Sequence, residues 1–311
     1  MKKTVEAFSP GGISSFFQVC DTGTDGKPLD NLERVGARGG GFVINKGVHT
    51  RVEVEEARTG HIDVFINGKL ASDAETSRTV AESVLAKTPK KHKVTVKHRI
   101  EIPIGAGFGS SAGGALSTAL ALSDALGLKL TYNQLGRIAH VAEIKCRTGL
   151  GTVGPIMLGG CILTVEPGGP GFGVVDRIPL TSRYSVVTGT FGPTATKQIL
   201  SSPEKKSEVN RWGKKTLDKI LDEPSLENFL SCCYEFAEKT GFITERIREL
   251  CQLAKRAGAI GAAQNMVGEA VHAVAFEENA ESITEAFKKV LPKEKILKSK
   301  IDFQGARLMK S

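Results

Sequence analysis

Several things are scarce or missing in this sequence, and each absence narrows its class. There is no run of about 18 apolar residues, so no helix is expected to span a bilayer and no membrane partner is expected. The opening stretch, MKKTVEAFSPGG, has two lysines but neither an apolar h-region nor a small-residue cleavage site, and does not read as a signal peptide. Six cysteines (Cys20, Cys146, Cys161, Cys232, Cys233 and Cys251) include no Cys-x-x-Cys spacing. That argues against a zinc site and for reduced thiols in a cytoplasmic protein. Cys232 and Cys233 lie in a helical pattern and are expected in a core. Internal repeats and low-complexity tracts are absent.

What remains is an ordinary globular composition, with 40% hydrophobic and 24% charged residues in a chain of 311. That length suits one large or two ordinary domains. The net charge of +8 gathers in KTPKKHKVTVKH and in KKVLPKEKILKSK. Neither run has aromatic interleaving, so both read as solvated faces and no nucleic-acid partner is expected. A basic surface also draws in small anionic substrates.

The first seventy residues look β-rich. Val48, Thr50, Val52 and Val54 alternate with polar residues, as do Ile62, Val64 and Ile66 up to the turn NGK. This period of two predicts antiparallel strands with one wet face. A helix is predicted over 74–87 and a strand over 94–102. Thr131 is a candidate N-cap for a helix carrying Leu135, Ile138, Ala139 and Ala142 at helical spacing. A composition shift in the glycine-rich stretch before residue 171 divides the chain into 1–170 and 171–311. The second part offers strands at 185–188, 271–276 and 296–301. Helices are predicted over 209–221, 226–239, 244–256 and 280–290. The class is α+β rather than alternating β-α-β.

Between the strand ending at 102 and a small-residue helix from Ala112 to Leu126 lies EIPIGAGFGSSAGGAL, with five glycines and two serines. It is not a Walker A loop, because no lysine follows its glycines. The spacing of Gly107, Gly109 and Ala112 formally meets G-x-G-x-x-[GA], but the preceding strand has Lys97, Arg99 and Glu101 on a wet face. Gly109, Ser111 and Gly113 formally meet the nucleophile elbow, yet of the later histidines, His140 and His272, neither follows an acid motif. All three share a helix start facing something negative. Unpaired first-turn amides and the helix dipole favour an anion there, and glycines let a phosphate approach the backbone.

The ten residues PIGAGFGSSA (103–112) resemble the central motif of the galactokinase, homoserine, mevalonate and phosphomevalonate (GHMP) kinase superfamily, P-x-x-x-G-[LF]-G-S-S-A. The fold implied is a domain like that of ribosomal protein S5 followed by a ferredoxin-like domain. AFSPGGISSFF, GARGGGFVINKGV, AHVAEIKCRTGLG, LGGCILTVEPGGPG and GAAQNMVG are similar, in order, to signatures of the archaeal pantoate kinase family, over residues 7 to 268. That resemblance implies phosphorylation of pantoate by ATP with Mg²⁺, in a cytoplasmic homodimer. It places Pro103, Gly105, Gly107, Gly109, Ser110, Ser111 and Ala112 in the phosphate-binding loop, and Ser111 and Glu143 at the metal. It puts Arg38 on the substrate side, where a guanidinium fork suits a carboxylate. Two positions depart from the pattern: Gly12 replaces a histidine, and Thr152 replaces the aspartate of T-G-L-G-D, a candidate base. Threonine cannot accept a proton near neutral pH, so no base is assigned. Thr152 is kept as a catalytic-site residue able to hydrogen-bond the acceptor hydroxyl, with Lys145 or Arg147 to offset charge.

Overall fold

The alternation at Val48–Val54 belongs to a strand far longer than the pattern alone outlines. In the computed structural model, which describes residues 2–192 and 202–309, β1 (Lys3–Cys20) and β2 (Gly36–Glu56) run antiparallel from Lys3↔Val54 to Cys20↔Gly36. Val48, Val52 and Val54 are buried on one face, while Arg51 and Glu55 stay exposed on the other. The triplet Gly39-Gly40-Gly41 permits the close approach of the two strands. A Cβ at Gly41 would fall 1.7 Å from the Ile13 carbonyl oxygen, at the β-bulge between Ser14 and Phe16.

The hydrophobic alternation at Ile62–Ile66 forms β3 (His61–Ile66), followed by the short β4 (Lys69–Leu70). Here the antiparallel expectation needs correcting, because β3 pairs parallel with β5 (His92–Ile100). Helix α1 (Glu75–Leu85) crosses over between them and returns the chain in the same direction. β2 changes partner along its length, pairing with β5 over Val48–Glu56 and with β6 (Cys161–Glu166) over Gly39–Phe42. On the helical side lie α2 (Ser110–Leu126), α3 (Tyr132–Cys146) and α4 (Val153–Leu158). Thr131 caps α3 with a reciprocal Thr131–Gln134 capping box.

The second sheet runs in the order β11 (Ile296–Lys300), β8 (Tyr184–Gly192), β10 (Glu269–Phe276), β9 (Gly261–Gln264), all antiparallel. α5 (Pro203–Asp222), α6 (Leu226–Lys239), α7 (Glu245–Arg256) and α8 (Ala280–Phe287) complete it. Cys232 and Cys233 are buried on α6, and all six thiols are free. Drawn by sheet membership, the first unit extends through β7 (Val174–Ile178) and takes back β12 (Arg307–Leu308) beside β1. The largest core spans both sheets: Phe229 of α6 packs edge-on against Phe16 of β1 and Phe42 of β2, with centroids 6.2 and 5.2 Å away. The two sheets are thereby held as one body around the space between them. Among the described residues no helix is long and apolar enough to cross a membrane.

Candidate active site

β5 ends at Ile100, where the Glu101 amide donates to the Gly47 carbonyl, and the chain turns away from the sheet. Three left-handed residues follow, Gly105, Gly107 and Gly109, with φ of 74°, 79° and 66°. A side chain at any of them would be strained. Gly109 is the N-cap of α2, so no cap side chain occupies the amides of the first turn. The helix start is therefore an electropositive, sterically open end.

That end faces a cavity of about 610 Å³. Gly105, Gly107, Gly109, Ser110 and Ser111 line it together with Glu143, Thr152 and Arg38. Pro103 and Ala112 do not. Pro103 lines a second cavity of about 350 Å³ with Ile102, Glu294 and Lys295, and the Ala112 methyl is wholly buried in the core. The first turn of α2 presents its serines to the cavity and its alanine to the sheet, leaving Ala112 only its backbone amide to offer.

Glu143 is 2% exposed on α3, unlike the solvated carboxylate that a helix usually carries. Thr148 Oγ1 donates to its Oε1 at 2.6 Å, the Ser111 hydroxyl lies beside the carboxyl, and Thr76 Oγ1 sits 3.0 Å from Thr148 Oγ1 behind. Burial pushes the Glu143 carboxyl above its usual range, and the Thr148 and Ser111 hydroxyls offset part of that rise. Gly149 backs the carboxylate so closely that a Cβ would stand 2.2 Å from Oε2. Gly149→Ala is therefore expected to displace Glu143 and raise the Mg²⁺ concentration needed for half-maximal rate about tenfold, as measured by metal titration of turnover.

Among the described residues no group of three His, Cys, Asp or Glu side chains could cage a metal. One buried carboxylate beside a serine hydroxyl nevertheless fits Mg²⁺, which keeps several waters and takes its other ligands from phosphate oxygens.

The ionisable side chains on the described cavity wall are Arg38, Glu143 and Arg147. Arg38 is partly committed: Nε donates to the Val165 carbonyl at 3.0 Å, and Nη2 to Glu166 Oε2 at 3.1 Å. The Arg147 guanidinium has no hydrogen-bond or ion-pair partner among the described residues, although the backbone amide of Arg147 caps α3 on the Ile144 carbonyl. The residue closes α3 in the left-handed conformation, with φ of 56°, which is uncommon for a residue with a side chain. Lys145, the other cation singled out in the sequence, is exposed and off this wall.

The second half of the chain contributes Met266 and Val267, residues that sequence reasoning did not reach. The Met266 amide donates to the Ser14 carbonyl, and a Cβ at Gly268 would meet the Ala106 backbone at 2.6 Å. The glycine loop is thus wedged between β1 and the turn that joins β9 to β10. The one available signal was the small-residue run GAAQNMVG, which marks a close approach without naming its partner.

Residues 75–160, which carry α1, the loop and Glu143, match the family description "GHMP kinases N terminal domain". The pantoate kinase of Thermococcus kodakarensis is 33% identical, with 89% of each chain aligned. That of Methanocaldococcus jannaschii is 31% identical over 88% of this chain and 94% of its own. The chain belongs to the pantoate kinase family. It has the α+β, two-sheet GHMP kinase fold, and a solved structure described as a phosphotransferase related to the CoA biosynthesis pathway superposes with a TM-score of 0.88, at 28% identity over 99% of both chains. Gly12 and Thr152, the two positions that depart from the resembled signatures, both line the cavity.

Proposed function

We propose that this kinase transfers the γ-phosphoryl group of ATP to the primary hydroxyl of pantoate, giving 4-phosphopantoate, a step towards coenzyme A. The observation that carries the reading is a single cavity that joins a glycine-lined helix N-terminus to two arginines and a buried carboxylate. The open amides of α2, with Ser110, hold the polyphosphate, because their partial positive charge needs no counter-ion to be released. Ser111 and Glu143 are the residues that would hold Mg²⁺, which when bound neutralises phosphate-oxygen charge. Arg38, with one terminal nitrogen uncommitted to Val165 or Glu166, pairs the acceptor carboxylate. Arg147, whose guanidinium has no partner among the described residues, offsets the charge that spreads over the transferring group.

The cavity suits a small anionic acceptor. Phe16, Phe42 and Ile162 give it apolar surface on the sheet side, where the gem-dimethyl carbon of pantoate can pack. ATP-dependent release of ADP tests the assignment. Purified protein with Mg-ATP and pantoate should form ADP well above the rate without acceptor, and more than with other small hydroxy acids or alcohols at equal concentration. No stimulation by pantoate would reject the substrate. Stimulation by another hydroxy acid or alcohol instead would move the chain to a different acceptor within the same fold.

A further inference from the structure

At the N-cap of α4 a threonine would ordinarily bond a first-turn amide with its hydroxyl. Thr152 occupies that position but makes no side-chain cap, and its backbone lies in the helical region at φ −79° and ψ −26° rather than in the extended one. Its Oγ1 has no hydrogen-bond partner among the described residues and is not sealed from solvent. The other branch of the side chain is tightly held. A Cβ at Gly12 would stand 2.8 Å from the Thr152 Cγ2, and a Cβ at Gly109 would stand 2.7 Å from the same atom. The methyl therefore sits in a seat made by two glycines, one on β1 and one at the head of α2. Gly12 also donates its amide to the Phe108 carbonyl, one residue before that head. The two departures from the family pattern are thus two sides of one contact, since a side chain at Gly12 would collide with both Thr152 and Ile156.

We propose that Thr152 is a positioning residue with two separate ends. Its methyl clamps the phosphate loop onto β1, and its hydroxyl orients the acceptor hydroxyl for a transfer that uses no protein base. The wall supports the second half: besides Glu143, bonded by Thr148, its described ionisable groups are the two arginines, and neither can take a proton at neutral pH. In the step itself the acceptor oxygen forms a bond to the γ-phosphorus as the bond from that phosphorus to the bridging oxygen breaks. ADP leaves with the electron pair. The acceptor proton passes to an oxygen of the phosphoryl group, and the monoester then loses it to water. A loose transition state puts little negative demand on the acceptor oxygen until late, so proton removal can lag bond formation.

The proposal rests on the reading of the site as a kinase, and its two ends are separable by substitution. Thr152→Val keeps the seated methyl and deletes the hydroxyl. It is expected to lower kcat about 30-fold while the Kd for a non-hydrolysable ATP analogue stays within about twofold. Thr152→Ser keeps the hydroxyl and deletes the methyl. It is expected to weaken analogue binding about fivefold and to recover most of the kcat that the valine variant loses. Equal kcat for Thr152→Val and the parent chain overturns the hydroxyl role. Unchanged analogue affinity in Thr152→Ser overturns the clamp. A kcat that rises tenfold or more in Thr152→Asp overturns the reading that Thr152 fits the site to base-free transfer, since it would show a wall still arranged around a carboxylate. If the parent chain fails to turn over pantoate, the substrate assignment falls, while the analogue-binding arm still decides the clamp.

Discussion

Glu143→Gln is expected to lower kcat by about 10³ and, at the same time, to make the folded protein more stable at pH 8. The two effects have one cause. A carboxylate that is 2% exposed loses its hydration, and the Thr148 and Ser111 hydroxyls restore only part of it. Because burial raises its pKa above the unfolded value, the group favours folding most when protonated, below the unfolded pKa. That contribution is lost as pH rises through the folded pKa, where the buried charge must be carried. Glutamine keeps the shape and carries no charge. The gain in melting temperature over the parent chain, without metal, should be larger at pH 8 than at pH 4, below the unfolded carboxyl pKa of about 4.3, where the parent group is largely protonated in both states. Thermal melts at the two pH values with kcat measured alongside check both halves. A variant that loses activity and stability together would instead make Glu143 a plain structural residue. The parent enzyme should also need more Mg²⁺ as pH falls through the raised pKa, because a protonated carboxyl is a poor ligand for a hard cation.

The second large effect is expected at Arg147. Arg147→Gly should reduce kcat by about 10², leave the KM for ATP within about threefold, and leave the melting temperature unchanged or higher. Glycine adopts the left-handed conformation at this helix end without steric penalty, whereas arginine at φ 56° does not. The Arg147 side chain has no partner among the described residues, so replacing it should relieve strain and remove a charge from the cavity, while the backbone amide keeps its bonds to the α3 carbonyls. Arg147→Lys, which keeps the charge but not the planar fork, should recover part of the rate. Equal losses of stability and rate in the glycine variant would contradict this account.

Much of the local structure is legible in the residues because its determinants are local. The period of two at Val48–Val54, the Thr131–Gln134 cap and the glycine loop before a small-residue helix each specify a backbone by sterics and near-neighbour hydrogen bonds. The pairing sense of β3 escapes the same reading, because alternation reports one wet face and not which strand lies alongside. Only the crossover by α1 makes the pair parallel. Glu143 shows a similar gap. As one letter in AHVAEIKC it is an ordinary helix glutamate, and its burial depends on Thr148 and Gly149 folding back beneath α3.

Taken alone, the order of residues determines that an electropositive helix start follows β5, since glycines at 105, 107 and 109 and serines at 110 and 111 act through their own backbone. Set beside the signatures it resembles, the same sequence marks Gly12 and Thr152 as departures. Tertiary packing decides that these two distant positions share one contact, that the Met266 turn closes on Ser14 and Ala106, and that Arg38 is held by Glu166 while the Arg147 guanidinium meets no partner among the described residues. Those outcomes depend on distances between segments more than a hundred residues apart. Such distances are set by how two sheets bury a common core around Phe16, Phe42 and Phe229, and no short stretch of chain encodes them.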